Sequence, residues 1–184
     1  MIKALAFIHK KTGLSDADFR TYYENSHAPL ASSLLTFEGY ERNFINSKFN
    51  KSYESLGSIS IFKYQSMKSL DVIGEQMESS KGDFLREDEL KFMDVPKNFF
   101  VLTESEDSLN NIYKQKIFYP ANKIHELNTL DNYRGLEKIS ENYVIGHHEI
   151  IGIAEYGVTD EMSLSAMKAI SQDQTKVLFA SSVN

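Results

Sequence analysis

One histidine stands beside a proline in a stretch otherwise built like an amphipathic helix: Ser15 to Asn43, with His27 two residues before Pro29. An imidazole titrates near neutrality, so small changes in its surroundings decide whether it gives or takes a proton. Glu24 lies one helical turn earlier, where a carboxylate can orient the ring. The other role open to His27 is structural, as a hydrogen-bond partner for a carbonyl that Pro29 leaves free. Tyr22, Tyr23 and Tyr40 can offer hydroxyls to a phenolic or carbonyl ligand, although aromatics on a helix face serve a core equally well. Arg42 and Asn43 follow Tyr40. An inward Arg42 can grip a carboxylate, whereas an outward one is a solvated charge. His147, His148 and Glu149 look like a metal cluster, but neighbours in a strand point to opposite faces and two ligands are too few. No metal site is expected. The chain has no Gly-rich phosphate loop, nucleophile elbow or HExxH, so nucleotide, serine-hydrolase and zincin chemistry find no support.

The elements that must position these residues follow from local signals. Ser15 is placed to cap a helix, Asp18 to complete a weak capping box, and Leu14 with Phe19 to staple the entry. At helical spacing Phe19, Tyr22, Tyr23, Ser26 and Leu30 share one face, with His27 on its shoulder. Pro29 removes the amide that would bond the Asn25 carbonyl, so the helix should kink or restart beside His27. That places the imidazole at a pocket mouth. Ile2 to His9 alternates with apolar residues on both faces, so both faces need cover, helices on one side and a partner sheet on the other. Tyr40 to Lys48, Ser58 to Tyr64 and Asn98 to Glu104 give further strands, with a helix over Ser66 to Ser79. Gly82 to Pro96 is charged and irregular, with a helical turn at Asp88 to Phe92. The first half thus closes as β-α-β-β-α-β.

Glu104 to Asn111 is acidic and polar and is the expected linker. Beyond it the plan recurs: a strand at Ile112 to Tyr119, partial helix over Ala121 to Ile139, and strands at Tyr143 to Glu149 and Ile150 to Val158. A helix capped by Thr159 or Asp160 follows, then a last strand at Lys176 to Ser182. SISIFKYQSMKSLDVIGEQM with NFFVLTES pairs with GIAEYGVTDEMSLSAMKAI with KVLFASS, which reads as a degenerate internal repeat. The units are 1–106 and 107–184.

Composition narrows the function. The 184 residues hold no cysteine, so there is no disulfide framework, thiolate nucleophile or Cys-bound zinc, in keeping with the cytoplasm. A net charge of −6 without a basic stripe argues against nucleic acid. No apolar run is long enough to span a bilayer, and MIKALAFIHKK starts a strand and is too short for a signal peptide.

The run FRTYYENSHAPLA, with KKTGLSDAD before it and YERNF after it, resembles the EthD family of the dimeric α/β-barrel superfamily, and DFLREDELKFMDVPKNFFVLTESE resembles that family's closing segment. The resemblance covers Met1 to about Glu106. It implies an α+β fold: ferredoxin-like β-α-β-β-α-β units whose sheets pack face to face. Two such units in one chain form either an intramolecular pseudo-dimer or a homodimer through the first halves. The resemblance does not fix one reaction. The function expected is cofactor-free acid–base chemistry (decarboxylation, cyclisation or isomerisation) on a hydroxylated or aromatic small molecule. In this reading His27, Tyr23 and Tyr40 are catalytic, and Phe19, Tyr22, Leu30, Arg42 and Asn43 bind the ligand. The rival is a non-catalytic binding or assembly protein that keeps the barrel.

Overall fold

The computed structural model describes residues 1–50, 53–107, 112–174 and 176–183, save the side chains of 106 and 107. Eight antiparallel strands close into one barrel: β1 (Ile2–His9), β2 (Gly39–Ile45), β3 (Leu56–Tyr64), β4 (Phe99–Asp107), β5 (Gln115–Ala121), β6 (Leu136–Val144), β7 (Gly152–Val158) and β8 (Leu178–Val183). Their order round the barrel is β1-β3-β2-β8-β5-β7-β6-β4. The first four strands and the last four follow the same order within their halves. Two seams join the halves, β2 with β8 and β4 with β6. The barrel therefore closes within one chain, and a closed barrel leaves no strand edge open.

The alternation of β1 sorts its residues as expected. Leu5 and Phe7 enter the barrel with Ile59, Ile61, Val101, Phe118, Ile153 and Leu178, a core drawn from both halves. Ile8 faces outward, with Phe44 of β2, under a helical layer that contributes Phe19, Tyr23, Ala28 and Phe92. Burying each such side chain stabilises the fold by about 1.5–3 kcal/mol.

The interior is also polar in a way the strand pattern does not suggest. Lys116 is fully buried, with Nζ 2.5 Å from Glu41 Oε1 and 2.6 Å from Glu155 Oε1. Ser182 donates to Glu41 and Ser140 to Glu155, so the carboxylates hold further donors. Glu41 comes from the first half, Lys116 and Glu155 from the second. Asn43 of β2 and Asn142 of β6 lie opposite Ser182 and Ser105 across the two seams. Each asparagine is sealed from solvent and donates to a neighbouring carbonyl, Ile59 at 3.1 Å and Ile153 at 3.0 Å, while its Oδ1 finds no donor.

Outside the barrel, α1 (Asp16–Tyr22) runs through a π-helical turn (Tyr23–His27) into α2 (Ala28–Leu34). α3 (Lys68–Glu78) and α4 (Ser80–Phe92) follow β3, and α5 (Leu164–Asp173) precedes β8. Several boundaries differ from expectation. The segment from Gly82 is not irregular; α4 occupies it to Phe92, because Leu85, Asp88 and Phe92 turn one stripe inward. The expected linker begins inside β4, which pairs with β6 to Asp107, while 108–111 lie outside the described residues. Partial helix over Ala121 to Ile139 reduces to a 3-10 turn at Ile124–Asn128, and β6 starts after Gly135, whose φ of 86° suits glycine. Tyr143 to Glu149 is not a strand beyond Val144, so His147 and His148 stand exposed in a loop. Ser163, rather than Thr159 or Asp160, caps α5 through the Ala166 amide.

Candidate functional site

Local sequence sets the first helix. Ser15 Oγ accepts from the Asp18 amide at 3.1 Å, and Leu14 packs against the cluster that contains Phe19. The Phe19 ring fits only because residue 57 is glycine; a Cβ there would stand 2.5 Å from Phe19 Cε1. At Tyr23 the helix widens, and the Tyr23 carbonyl accepts from the Ala28 amide five residues on. Pro29 makes this the natural place for the irregularity, since it cannot donate to the Asn25 carbonyl.

The widened turn changes where His27 points. It is not on the shoulder at a pocket mouth but under the helix, 5% exposed, with ring centroids 5.0 Å from Tyr23 and 4.9 Å from Phe92. Ser26, expected on the inner face, is exposed, and Leu30 is half-buried. The carboxylate that orients the imidazole is not Glu24. It is Asp88 of α4, whose Oδ2 lies 3.0 Å from His27 Nδ1. Asp88 also accepts from Tyr22 Oη at 2.7 Å and from Lys91 Nζ at 3.3 Å. Glu24 is instead spent on Arg42, with Nε to Oε1 at 3.0 Å and Nη2 to Oε2 at 3.1 Å. Arg42 thus faces the helical layer, with its guanidinium 5.0 Å from the centre of the Tyr40 ring.

A second set of hydroxyls starts from Tyr23, whose ring meets the imidazole edge-on. Tyr40 Oη donates to Tyr23 Oη at 3.0 Å, and Tyr23 Oη lies 2.8 Å from Ser60 Oγ. Tyr40 stacks on Phe62 with centroids 4.5 Å apart. His27, Tyr22, Tyr23, Tyr40, Phe19 and Arg42 are therefore brought together. Asn43 is not, because it faces the barrel interior, on the opposite side of the sheet.

Electrostatics assign protonation states. Desolvation lowers the His27 pKa below 6.5, against the raising effect of Asp88. Burial acts to raise the Asp88 carboxyl, but hydrogen bonds from Tyr22, His27 and Lys91 outweigh it and hold the pKa below 3.8. At neutral pH the pair is thus a carboxylate facing a neutral imidazole, which must present its proton at Nδ1. Nε2 then carries the lone pair. It bonds no described residue, yet unlike Asn43 Oδ1 it is not among the sealed unpartnered atoms. Burial also raises the phenols of Tyr23 and Tyr40, the latter well above 10 with Tyr23 contributing, so both stay protonated.

Comparison with known proteins now places this helix, turn and sheet. The model of the EthD domain matches residues 11–96, which hold α1, the π turn, His27 and Asp88. That match spans a little under half of the chain. Solved structures are similar over more of the chain. A candidate chlorite dismutase shares 12% identity and a TM-score of 0.59, covering 100% of this chain and 94% of that one. A candidate monooxygenase from Fusobacterium nucleatum subsp. nucleatum shares 6% identity and a TM-score of 0.55, covering 100% and 92%. An EthD family protein from Bacillus halodurans C-125 is 19% identical over 56% of this chain and 98% of its own, with a TM-score of 0.43. At these identities the whole-chain likeness establishes the barrel fold and no activity. No protein of curated function matches the sequence. Among the described residues, no helix is long and apolar enough to cross a membrane.

The His-Ala-Pro-Leu box is visible in sequence, but Asp88 is not. It sits 61 residues beyond His27 in a run crowded with acids. The signal available was the spacing of Leu85 and Phe92, two turns apart, which makes Asp88 the polar member of an inward stripe.

Proposed function

We propose that this chain binds a hydroxylated or aromatic small molecule against its EthD domain and uses His27 as a general base. The observation that carries the reading is the division of labour on one imidazole: Asp88 holds Nδ1, and Nε2 keeps its lone pair with no hydrogen-bond partner among the described residues. A lowered pKa keeps that lone pair available at neutral pH. Tyr40 and Tyr23, both protonated, supply hydroxyl dipoles for an oxygen of the ligand, and Arg42 holds the Tyr40 backbone through its carbonyl at 2.7 Å. Decarboxylation, aldol-type cyclisation and isomerisation need mainly a positioned proton acceptor and a shaped apolar surround, which these residues offer. On the same footing, we infer that 1–106 and 107–184 descend from one unit, and that the second copy has lost the His-Ala-Pro-Leu box. The repeated strand order supports this. The absence of cysteine supports a cytoplasmic setting.

One observation favours a second reading, a binding or assembly protein without turnover: rings of Tyr23 and Phe92 flank a 5% exposed imidazole. Proton abstraction from 5-nitrobenzisoxazole separates the two. A base removes its C–H proton, the N–O bond breaks and a cyanophenolate forms, with no other reactant. In the base reading the wild type turns the probe over, kcat/KM falls at least tenfold in His27→Gln, and the rate rises with pH to a plateau with its midpoint below 6.5. Equal rates in wild type and His27→Gln would establish the non-catalytic reading.

A further inference from the structure

A cleft of about 300 Å³ lies on the other flank of α1, where β2, β3 and β8 meet. Its floor is apolar, made by Phe19, Phe44 and Gly57, and Arg20 and Ser181 form its rim. Three of the chain's four arginines are matched by carboxylates: Arg42 by Glu24, Arg86 by Asp83 and Arg134 by Glu161. Arg20 is the exception among the described residues. Its guanidinium lies 4.9 Å from the centre of the Phe44 ring, and Nη1 donates to Ser181 Oγ at 3.0 Å. Those two contacts hold the planar fork over the cleft while most of its five N–H donors remain unused. Asp16 also lines the cleft, but its carboxylate is engaged by Lys10. In a chain of net charge −6, a held, unneutralised guanidinium above an apolar floor is selective for one kind of partner.

We propose that this cleft is a binding site for a small monocarboxylate with a compact aromatic or branched apolar body. The carboxylate takes the free edge of Arg20 in bidentate fashion, and the body rests on Phe44 and Phe19. Ser181 belongs to the second half and Arg20 to the first, so the site spans the β2–β8 seam and exists only in the closed chain. The site is separate from His27, which does not line the cleft.

Benzoate is a suitable probe, with benzamide as its uncharged counterpart, titrated into the full chain labelled with ¹⁵N. Saturable shifts are expected at Arg20 Nε–H and at the Ile45 and Ser181 amides. Arg20→Gln should weaken benzoate at least fivefold, Arg20→Lys less, and benzamide should bind the wild type about as poorly as benzoate binds Arg20→Gln. Arg20 is exposed, so both variants should keep the wild-type spectrum elsewhere. The proposal is overturned if benzoate binds Arg20→Gln as tightly as wild type, if its shifts centre on His27, or if no saturable shift appears at 20 mM probe (about the weakest binding a built site would show).

Discussion

Replacing Lys116 with methionine should destabilise the barrel from its middle. The ammonium is fully buried between Glu41 and Glu155, themselves 4% and 2% exposed. Methionine fills much the same volume, so packing changes little, but two buried carboxylates lose the charge that they share. Breaking a buried ion pair by removing one partner costs about 3–5 kcal/mol. Ser182 and Ser140 still donate to these carboxylates, which places the expectation toward the lower end. For a chain of this size each kcal/mol lowers the midpoint by about 2–4 °C, so a fall of roughly 6–20 °C is expected. Calorimetry of Lys116→Met against wild type measures it. The same scan on Lys116→Met with Glu41→Gln and Glu155→Gln supplies the control, because a neutral trio should recover most of the loss. A single variant within 2 °C of wild type, or a triple variant no better than the single one, would refute the claim that this charged trio locks first half to second.

Two further outcomes follow from the site. Because the folded His27 pKa lies below its unfolded 6.5, the unfolded chain binds the extra proton first as pH drops. Stability is therefore whole above pH 6.5 and declines as pH falls through that value toward the folded pKa; urea midpoints between pH 7.5 and 5.5 should show this slope, and His27→Gln should flatten it. Gly57→Ala drives a Cβ to 2.5 Å from the Phe19 ring and should cost about 1–3 kcal/mol by overpacking, read as a shift in urea midpoint with unchanged slope.

Local signals carried well from sequence to structure. Ser15, Leu14 and Phe19 act within a few residues of one another, so cap and staple could be named directly. Pro29 announced an irregular helix, but not that the irregularity would be a π turn, and that choice moves His27 from the helix shoulder to its buried face. Partners distant along the chain were beyond reach. Glu24, one turn from His27, was the obvious orienting acid, yet Arg42 across the sheet claims it and Asp88 takes its place. The interior trio was hidden for a different reason. Alternation shows which residues share a strand face, whereas only barrel closure shows that Lys116, Glu41 and Glu155 meet. Asn43 was grouped with Arg42 by adjacency, and the period of two sends them to opposite sides.

His27 can act as the base only if its neutral ring carries the proton on Nδ1. Long-range ¹H–¹⁵N spectra of the imidazole, recorded from pH 8 to 5, test it most directly. The expected result is a neutral ring at pH 7 with the proton on Nδ1, titrating below 6.5, and a change of tautomer population in Asp88→Asn. A neutral ring protonated at Nε2, or an imidazolium at pH 7, would leave no lone pair for a ligand and would contradict His27 as the base.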